Sequence, residues 1–401
     1  MRLGWVRAID RYVGPSVCLA LTGWDRLARL VRPAVKADHD AVYRILFVKL
    51  SEIGAVLCAR PLFRKIKDDY PQAEKVFVTF AKSKAVFDLL AADIGADRVL
   101  VIRLDTPWHF IVDTGKVLGF LIPHHFDIAF DLELFARFSV ILTYLSGAAR
   151  RVGFYRYTVE GVYRGDLLTH RVAYNPLTHI SRSFYSLYLA LNKTERGPQL
   201  DDNIPEEEMV LPHYTPPDKD LRQLRELLQQ AGVQPGHKVL LLHIGDGLLP
   251  LREWPFEYHR QLAQRLLTRS DMFLVYVGTH SDDAAIERLM SLAPGRCLNL
   301  NRRTSLPELM ALFQLGSLVF STDCGLLHLA ALSGINKVVL FGPESPAVFA
   351  PMGDRVRVVY KDLPCSPCFS AFNHRASACR NNLCLKKISP DDVFQIISQT
   401  L

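Results

Sequence analysis

The clearest chemical pattern in the sequence lies in residues 318–346. A buried strand ends at Ser321, an Asp-Cys-Gly turn follows, and a helix begins at once. N–H groups at such a helix start attract anions, and Gly325 lets an anion approach the backbone closely. Asp323 either caps the helix or contacts a sugar hydroxyl, and His328 falls in the first helical turn. The pattern fits a diphosphate site. It also fits an N-capped core helix with a buried histidine.

Alternating strands and helices position this turn, and the alternation occurs twice along the chain. Residues 203–217 contain four prolines and an acidic run between the two series. We therefore predict an α/β protein with two Rossmann-like doubly wound domains, residues 41–205 and 206–401, that hold a ligand in the cleft between them. The predicted buried strands are 44–50, 75–80, 98–104, 126–133 and 150–154, followed by 238–245, 272–279, 317–323 and 336–342.

The first 40 residues form a separate, basic segment. Seven arginines and lysines face only two carboxylates within residues 1–36, although the whole chain has a net charge of +7. The uncharged stretch 12–24 is too short to span a bilayer, and aromatic residues and arginines flank it. We predict an amphipathic helical anchor on an anionic membrane surface; a hairpin packed on the catalytic body is the alternative. The charge does not follow a folded face, so we expect no nucleic-acid partner.

Four of the eight cysteines cluster near the end of the chain, as Cys365, Cys368, Cys379 and Cys384. Two interpretations stay open: a structural zinc site with four thiolate ligands, or reduced thiols without a metal. No cleavable signal peptide is evident, so a cytoplasmic location with reduced cysteines is expected.

The motif at residues 323–346 resembles the most characteristic motif of glycosyltransferase family nine, the ADP-heptose:lipopolysaccharide heptosyltransferases. The family pattern is roughly D-[ST]-G-x-x-H-L-A-A-A-x-G, a strand, and F-G-P-[ST]-x-P; here it reads DCGLLHLAALSG and FGPESP. The resemblance implies the GT-B architecture, with a donor domain at the C-terminus and no cofactor for catalysis. It assigns donor binding to Asp323, Cys324, Gly325 and His328, with Cys324 in place of a hydroxyl residue.

Other segments extend the resemblance over roughly residues 44–398. Arg252, ahead of Trp254 and Pro255, takes the place of the lysine that neutralises the donor phosphates. Asp282 matches the acid that contacts the ribose, although it also reads as a helix N-cap. Residues 126–154 are similar to the family stretch YDLAIDLQGLLRSALLARLSGARRRIGF near the acceptor.

The loop after the first strand departs from the family. The pattern K-x-S-S-x-G-D-V carries the proposed general base in its Asp, and here Ala55 takes that position while Lys49 is retained. Glu52, in the same loop, is the substitute we predict; another carboxylate is the alternative. The resemblance thus implies an inverting transferase that moves a sugar, heptose by the same resemblance, from a nucleotide diphosphate sugar to a lipopolysaccharide-core or other lipid-linked glycan. With the predicted anchor, we expect it at the inner face of the cytoplasmic membrane. A non-catalytic sugar-nucleotide or glycan-binding scaffold is the other hypothesis.

Overall fold

A computed structural model describes residues 4–31, 42–155, 163–191, 193, 204–245, 249–279, 283–373 and 375–401. The chain divides into two compact units, Met1–Met209 and Val210–Leu401. Asp282, one of the predicted donor contacts, and His374, within the cysteine cluster, lie outside the described residues.

The N-terminal unit is built on one parallel sheet with strand order β3-β2-β1-β4-β5-β6. This is the Rossmann order, and it reverses direction between β1 and β4. The central strands are buried along nearly their whole length, because helices cover both faces of a parallel sheet and exclude water from it. The strands are β1 (Arg44–Val48), β2 (Glu74–Phe80), β3 (Arg98–Ile102), β4 (Ile128–Asp131), β5 (Arg150–Tyr155) and β6 (His170–Ala173).

Eight helices accompany this sheet in the described residues: α1 (Gly4–Tyr12), α2 (Gly14–Val31), α3 (Ile53–Cys58), α4 (Arg60–Asp69), α5 (Lys84–Ile94), α6 (Pro107–His124), α7 (Arg137–Leu145) and α8 (Ile180–Leu191). Helix α6 is not among the elements predicted from the sequence. Its start has a recognisable signal, because Thr106 accepts a hydrogen bond from the His109 N–H and Pro107 follows at the first helical position. No strand or helix is predicted from the sequence between β5 and residue 205, yet both β6 and α8 form there.

The C-terminal unit repeats the same topology. Its parallel sheet has the order β12-β11-β10-β7-β8-β9, which is again the Rossmann order and reverses between β7 and β10. The strands are β7 (Lys238–Leu242), β8 (Met272–Tyr276), β9 (Cys297–Asn299), β10 (Leu318–Thr322), β11 (Asn336–Leu340) and β12 (Val356–Val359). The helices are α9 (Asp218–Gln230), α10 (Phe256–Leu267), α11 (Asp283–Met290), α12 (Leu306–Leu315), α13 (Gly325–Ala330), α14 (Pro346–Phe349), α15 (Leu383–Lys386) and α16 (Pro390–Thr400). The predicted fold class, with two Rossmann-like domains, is confirmed.

The first two helices pack on the N-terminal unit. Asp10 accepts hydrogen bonds from the backbone N–H groups of Arg137 and Phe138, both at 2.8 Å, and so caps the start of α7. The Thr22 hydroxyl accepts one from the Asp166 N–H at 2.9 Å. One face of these two helices therefore packs on the N-terminal unit, as the packed-hairpin alternative predicts. Among the described residues, no helix has the length and hydropathy needed to cross a bilayer.

A buried ion pair fixes the carboxyl end of β4. Asp131, fully buried, pairs with Arg164, whose guanidinium also donates to the carbonyl oxygens of Phe154 and Ala136 at 2.9 and 3.0 Å. Burial raises the pKa of Asp131, and the guanidinium opposes that rise. Arg164, which follows β5 in the chain, thus contacts the carboxyl ends of both β4 and β5.

We expect Asp131→Asn to lower the free energy of unfolding by about 3–5 kcal/mol, because the Arg164 charge stays buried without its counter-ion. Urea unfolding followed by circular dichroism measures the change. Glu257→Gln, in the exposed pair with Arg260, is the control and should change little. Equal stability of the two variants would mean that the Asp131 pair contributes no more than a surface pair.

Candidate functional site

The loops after β1 and β4 meet through one carboxylate. Glu133 Oε1 accepts hydrogen bonds from Lys49 Nζ at 2.7 Å and from the N–H groups of Leu50 and Ser51 at 2.8 and 3.1 Å. This contact joins the two strands where the sheet changes direction, the place at which Rossmann-like sheets bind ligands. Sequence reasoning missed Glu133, although the family stretch quoted above has Gln at that position.

Glu52 has an unusual backbone at the start of α3. Its φ of 71° and ψ of 101° lie in the left-handed half of conformational space, which costs a non-glycine residue roughly 1–3 kcal/mol. It occupies the N-cap position, yet its side chain makes no capping hydrogen bond and is exposed. Glu52 therefore does not cap α3 through its side chain. Strained residues of this kind concentrate at functional sites. Ala55 follows within α3 and is partly exposed.

In the C-terminal unit, Arg252 lies between two carboxylates. Its Nη2 is 3.3 Å from Asp323 Oδ2 and also donates a hydrogen bond to Glu344 Oε1. Arg375 Nε reaches the same Glu344 oxygen at 3.0 Å. Glu344 has no exposed side-chain surface. Two partly buried cations and two buried carboxylates thus form a compact cluster, which we call the arginine cluster: Arg252, Asp323, Glu344 and Arg375.

Four segments of the C-terminal unit assemble the arginine cluster. Arg252 ends the 3₁₀ turn Pro250–Arg252, and Trp254 anchors that turn by donating from Nε1 to the Ile388 carbonyl at 3.0 Å. Asp323 follows β10 and Glu344 follows β11, so both lie at the carboxyl edge of the sheet. This is the edge at which open parallel sheets hold ligands.

Burial controls the ionisation of the arginine cluster. Burial raises the pKa of Asp323, and it raises the pKa of Glu344 to about 7, although Arg252 opposes both shifts. Burial lowers the pKa of Arg252, but the neighbouring Asp323 and Glu344 carboxylates outweigh it and raise the pKa overall. Arg252 therefore remains charged. Within the described residues, Arg252 Nε, Asp323 Oδ2 and Glu344 Oε2 are buried without a hydrogen-bond partner.

The four predicted donor contacts in and after the Asp-Cys-Gly turn lie at the start of α13 and in its first turn. Cys324, not Asp323, is the N-cap of α13, and its side chain makes no capping hydrogen bond. Capping by Asp323 is thus wrong; its carboxylate pairs with Arg252 instead. Burial raises the pKa of the Cys324 thiol to about 11, so it is neutral. His328 is buried within α13, and Gly325 begins that helix.

The predicted zinc site is not supported. Cys365 and Cys379 are exposed, Cys384 is buried, and all four thiols are free. In the part of the chain that the structure describes, no three His, Cys, Asp or Glu side chains are grouped to hold a metal ion.

The cysteine-rich loop instead supports the arginine cluster. The N–H groups of Cys368 and Phe369 donate to the Pro343 carbonyl at 2.9 and 2.8 Å, next to Glu344. The loop also carries Arg375. Sequence reasoning missed Glu344 and Arg375. The sequence does single out Glu344, because the family pattern has Ser or Thr at that position. No feature of the sequence singles out Arg375.

Two Rossmann-like domains, each with charged side chains at the carboxyl edge of its parallel sheet, define a class of two-domain α/β proteins. The model of "Glycosyltransferase family 9 (heptosyltransferase)" matches residues 121–377, which is more than half of the chain. The chain therefore belongs to glycosyltransferase family 9. The matched range contains Arg252, Asp323 and Glu344.

Individual relatives agree with this family. Lipooligosaccharide heptosyltransferase 2 of Haemophilus influenzae is 26% identical over 163 residues, which are 39% of this chain and 46% of that protein. The chain thus matches about half the length of this curated relative. Two solved structures share the fold: Escherichia coli ADP-heptose lipopolysaccharide heptosyltransferase II, with a TM-score of 0.65 at 18% identity, and a family 9 transferase of Veillonella parvula, with 0.67 at 16%. The matches cover 89% and 92% of this chain and 98% of each solved chain.

Proposed function

We propose that the protein is a heptosyltransferase that moves heptose from ADP-heptose to a lipopolysaccharide-core or other lipid-linked glycan. The observation that carries this proposal is the partly buried Arg252, held between the buried carboxylates of Asp323 and Glu344 at the sheet edge of the C-terminal domain. A relative is named for ADP-heptose and lipopolysaccharide, and the family description names heptosyltransferases. A guanidinium that is largely shielded from water can stabilise a diphosphate, which gains negative charge as it leaves.

Donor binding is proposed for the C-terminal domain. Arg252 neutralises the diphosphate, and the backbone at Cys324 and Gly325 approaches it. The Asp323 carboxylate accepts a hydrogen bond from a hydroxyl group of ADP-heptose. Its Oδ2 has no hydrogen-bond partner within the described residues and can accept this bond. His328 and Asp282 complete the predicted donor contacts, the second through the ribose. No cofactor is required in this scheme, because Arg252 supplies the positive charge.

The chemical step is proposed to use the loop after β1. The acceptor hydroxyl oxygen attacks the anomeric carbon of heptose as the bond from that carbon to the ADP oxygen breaks, with inversion. Glu52 takes the hydroxyl proton, and ADP leaves with the bonding electrons. Lys49, fixed by Glu133, offsets the negative charge near this base. The strained backbone and exposed carboxylate of Glu52 support this role.

Product analysis tests the function. Purified protein is incubated with ADP-heptose and a heptose-deficient lipooligosaccharide core; ADP release is measured, and mass spectrometry follows the glycan. We expect ADP and a glycan heavier by a heptosyl unit. Binding of ADP-heptose without ADP release would favour the non-catalytic scaffold. UDP-sugar turnover in place of ADP-heptose turnover would assign another donor.

We further propose that α1 and α2 bind the inner face of the cytoplasmic membrane. Large apolar side chains are exposed on these helices, including Tyr12 (73%), Trp24 (68%) and Leu30 (84%). Arg26 and Arg29 lie among them, also exposed. Exposed apolar groups beside arginines suit the interface of an anionic bilayer, since the rings and aliphatic chains enter the headgroup region while the guanidinium groups contact phosphate.

Trp24→Ser, Leu27→Ser and Leu30→Ser together should weaken binding to anionic phospholipid vesicles about tenfold or more, because three apolar groups no longer enter the interface. Vesicle sedimentation measures the bound fraction. The control combines Tyr43→Ser, Leu177→Ser and Val210→Ser, which alters equally exposed apolar residues elsewhere. Equal binding by the two triple variants would contradict a membrane-binding role of the helices.

A further inference from the structure

Glu344 has a place in the arginine cluster that the family pattern does not explain. The pattern has a neutral hydroxyl residue there, whereas this chain buries a carboxylate against Arg252 and Arg375. Charged carboxylates are rarely buried unless they are paired and hydrogen-bonded. Here Oε1 takes both guanidinium contacts, and Oε2 is buried without a hydrogen-bond partner in the described residues. Half of this carboxylate is therefore free to interact with a ligand.

The charges of the arginine cluster balance before a ligand arrives. The charged and titratable groups that the structure places against Glu344 are Arg252, Asp323 and Arg375, with the Cys324 thiol beside Arg252. Two guanidinium groups match two carboxylates. A diphosphate at Arg252 adds at least two negative charges to this buried space. Like charges at such separations disfavour the ionised form of the weakest acid among them.

We propose that Glu344 is a proton-accepting residue of the donor site: a nucleotide diphosphate displaces its carboxylate from Arg252, and Glu344 takes a proton from solvent as the diphosphate binds. This inference rests on the proposed function. The protonated carboxyl donates its O–H to a phosphate oxygen, a hydrogen bond that the ionised form cannot make. Arg252 and Arg375 then face the phosphates, and the protonation of Glu344 removes one of the negative charges that the diphosphate adds to the cluster.

Glu344 is suited to this exchange, since burial raises its pKa to about 7 in the absence of a ligand. Above that pH the Glu344 side chain is ionised in the free protein, whereas it is protonated in the complex with the nucleotide diphosphate. A group whose pKa rises on binding takes up protons and weakens binding as pH increases. Donor affinity should therefore be full at pH 6.5 and fall above pH 7, by roughly tenfold at pH 8.5.

Calorimetry of ADP binding at pH 8.5, in buffers with different ionisation enthalpies, measures the proton uptake. We expect about 0.5–1 proton per ADP for the natural protein. Glu344→Gln should show no uptake, bind ADP equally at pH 6.5 and 8.5, and bind it roughly tenfold more tightly than the natural protein at pH 8.5. The protonation of ADP itself is common to both proteins and cancels in the comparison.

Two further variants keep the test decisive. Glu344→Thr restores the residue type of the family pattern and serves if the glutamine variant fails to fold; it should also bind ADP independently of pH. Asp323→Asn identifies the proton acceptor, because uptake must persist in it if Glu344 is responsible. Equal proton uptake by the natural protein and Glu344→Gln would overturn the inference. Failure of ADP to bind the natural protein at any pH would instead contradict the proposed function.

Discussion

Glu52→Gln should lower the turnover number by roughly 10²–10⁴-fold, because glutamine cannot accept the proton of the acceptor hydroxyl. ADP affinity should be unchanged, since Arg252 and its partners lie in the other domain. Melting temperature should also be nearly unchanged, because the side chain is exposed and makes no capping hydrogen bond. Steady-state kinetics with saturating donor, together with thermal unfolding, separate catalytic loss from structural loss.

Two controls decide whether Glu52 or another carboxylate is the base. Glu133→Gln introduces the residue of the quoted family stretch and keeps an oxygen acceptor for Leu50 and Ser51, so its effect on turnover should be small. Ala55→Asp, added to Glu52→Gln, places a carboxylate at the family position. Recovered turnover in that double variant shows that this position still serves a base. If Glu133→Gln abolishes turnover while Glu52→Gln does not, the base is Glu133.

Arg252→Ala should weaken ADP binding by about 2–5 kcal/mol, which corresponds to roughly 30-fold to several thousand-fold in Kd. The diphosphate loses a buried charge-assisted contact, and the remaining Asp323 and Glu344 carboxylates repel it. Isothermal calorimetry at pH 7 measures the affinity. A Kd equal to that of the natural protein would remove Arg252 from the donor site.

Arg252→Lys is the matched variant, because lysine is the family residue and preserves the charge. It should bind ADP with an affinity between those of the natural protein and the alanine variant, since an ammonium group cannot bind phosphate bidentately. Arg260→Ala, an exposed arginine on the next helix, controls for a general loss of positive charge. A loss of affinity as large in this control as in Arg252→Ala would indicate non-specific electrostatics.

Much of the fold was predictable because the signal is local. Continuous apolar runs such as 75–80 and 272–276 can only be central strands of a covered parallel sheet, and the alternation with helices fixes the fold class. The helix α6 escaped prediction, because its apolar residues surround the helix without a clear stripe. The short strands β6, β9 and β12 escaped because three or four residues carry too little periodicity.

By itself, the sequence determined two Rossmann-like domains, the family motif at residues 323–346, and Arg252 as a cation near it. These depend on residue type and spacing within short segments. Only the tertiary structure decided that Glu133 holds Lys49, that Glu344 and Arg375 join Arg252, and that the cysteine-rich loop supports this cluster. The side-chain contacts among these join residues 31 to 92 positions apart in the chain, and in each domain the parallel strand order brings them together at the carboxyl edge of its own sheet; spacing along the sequence carries no record of that order.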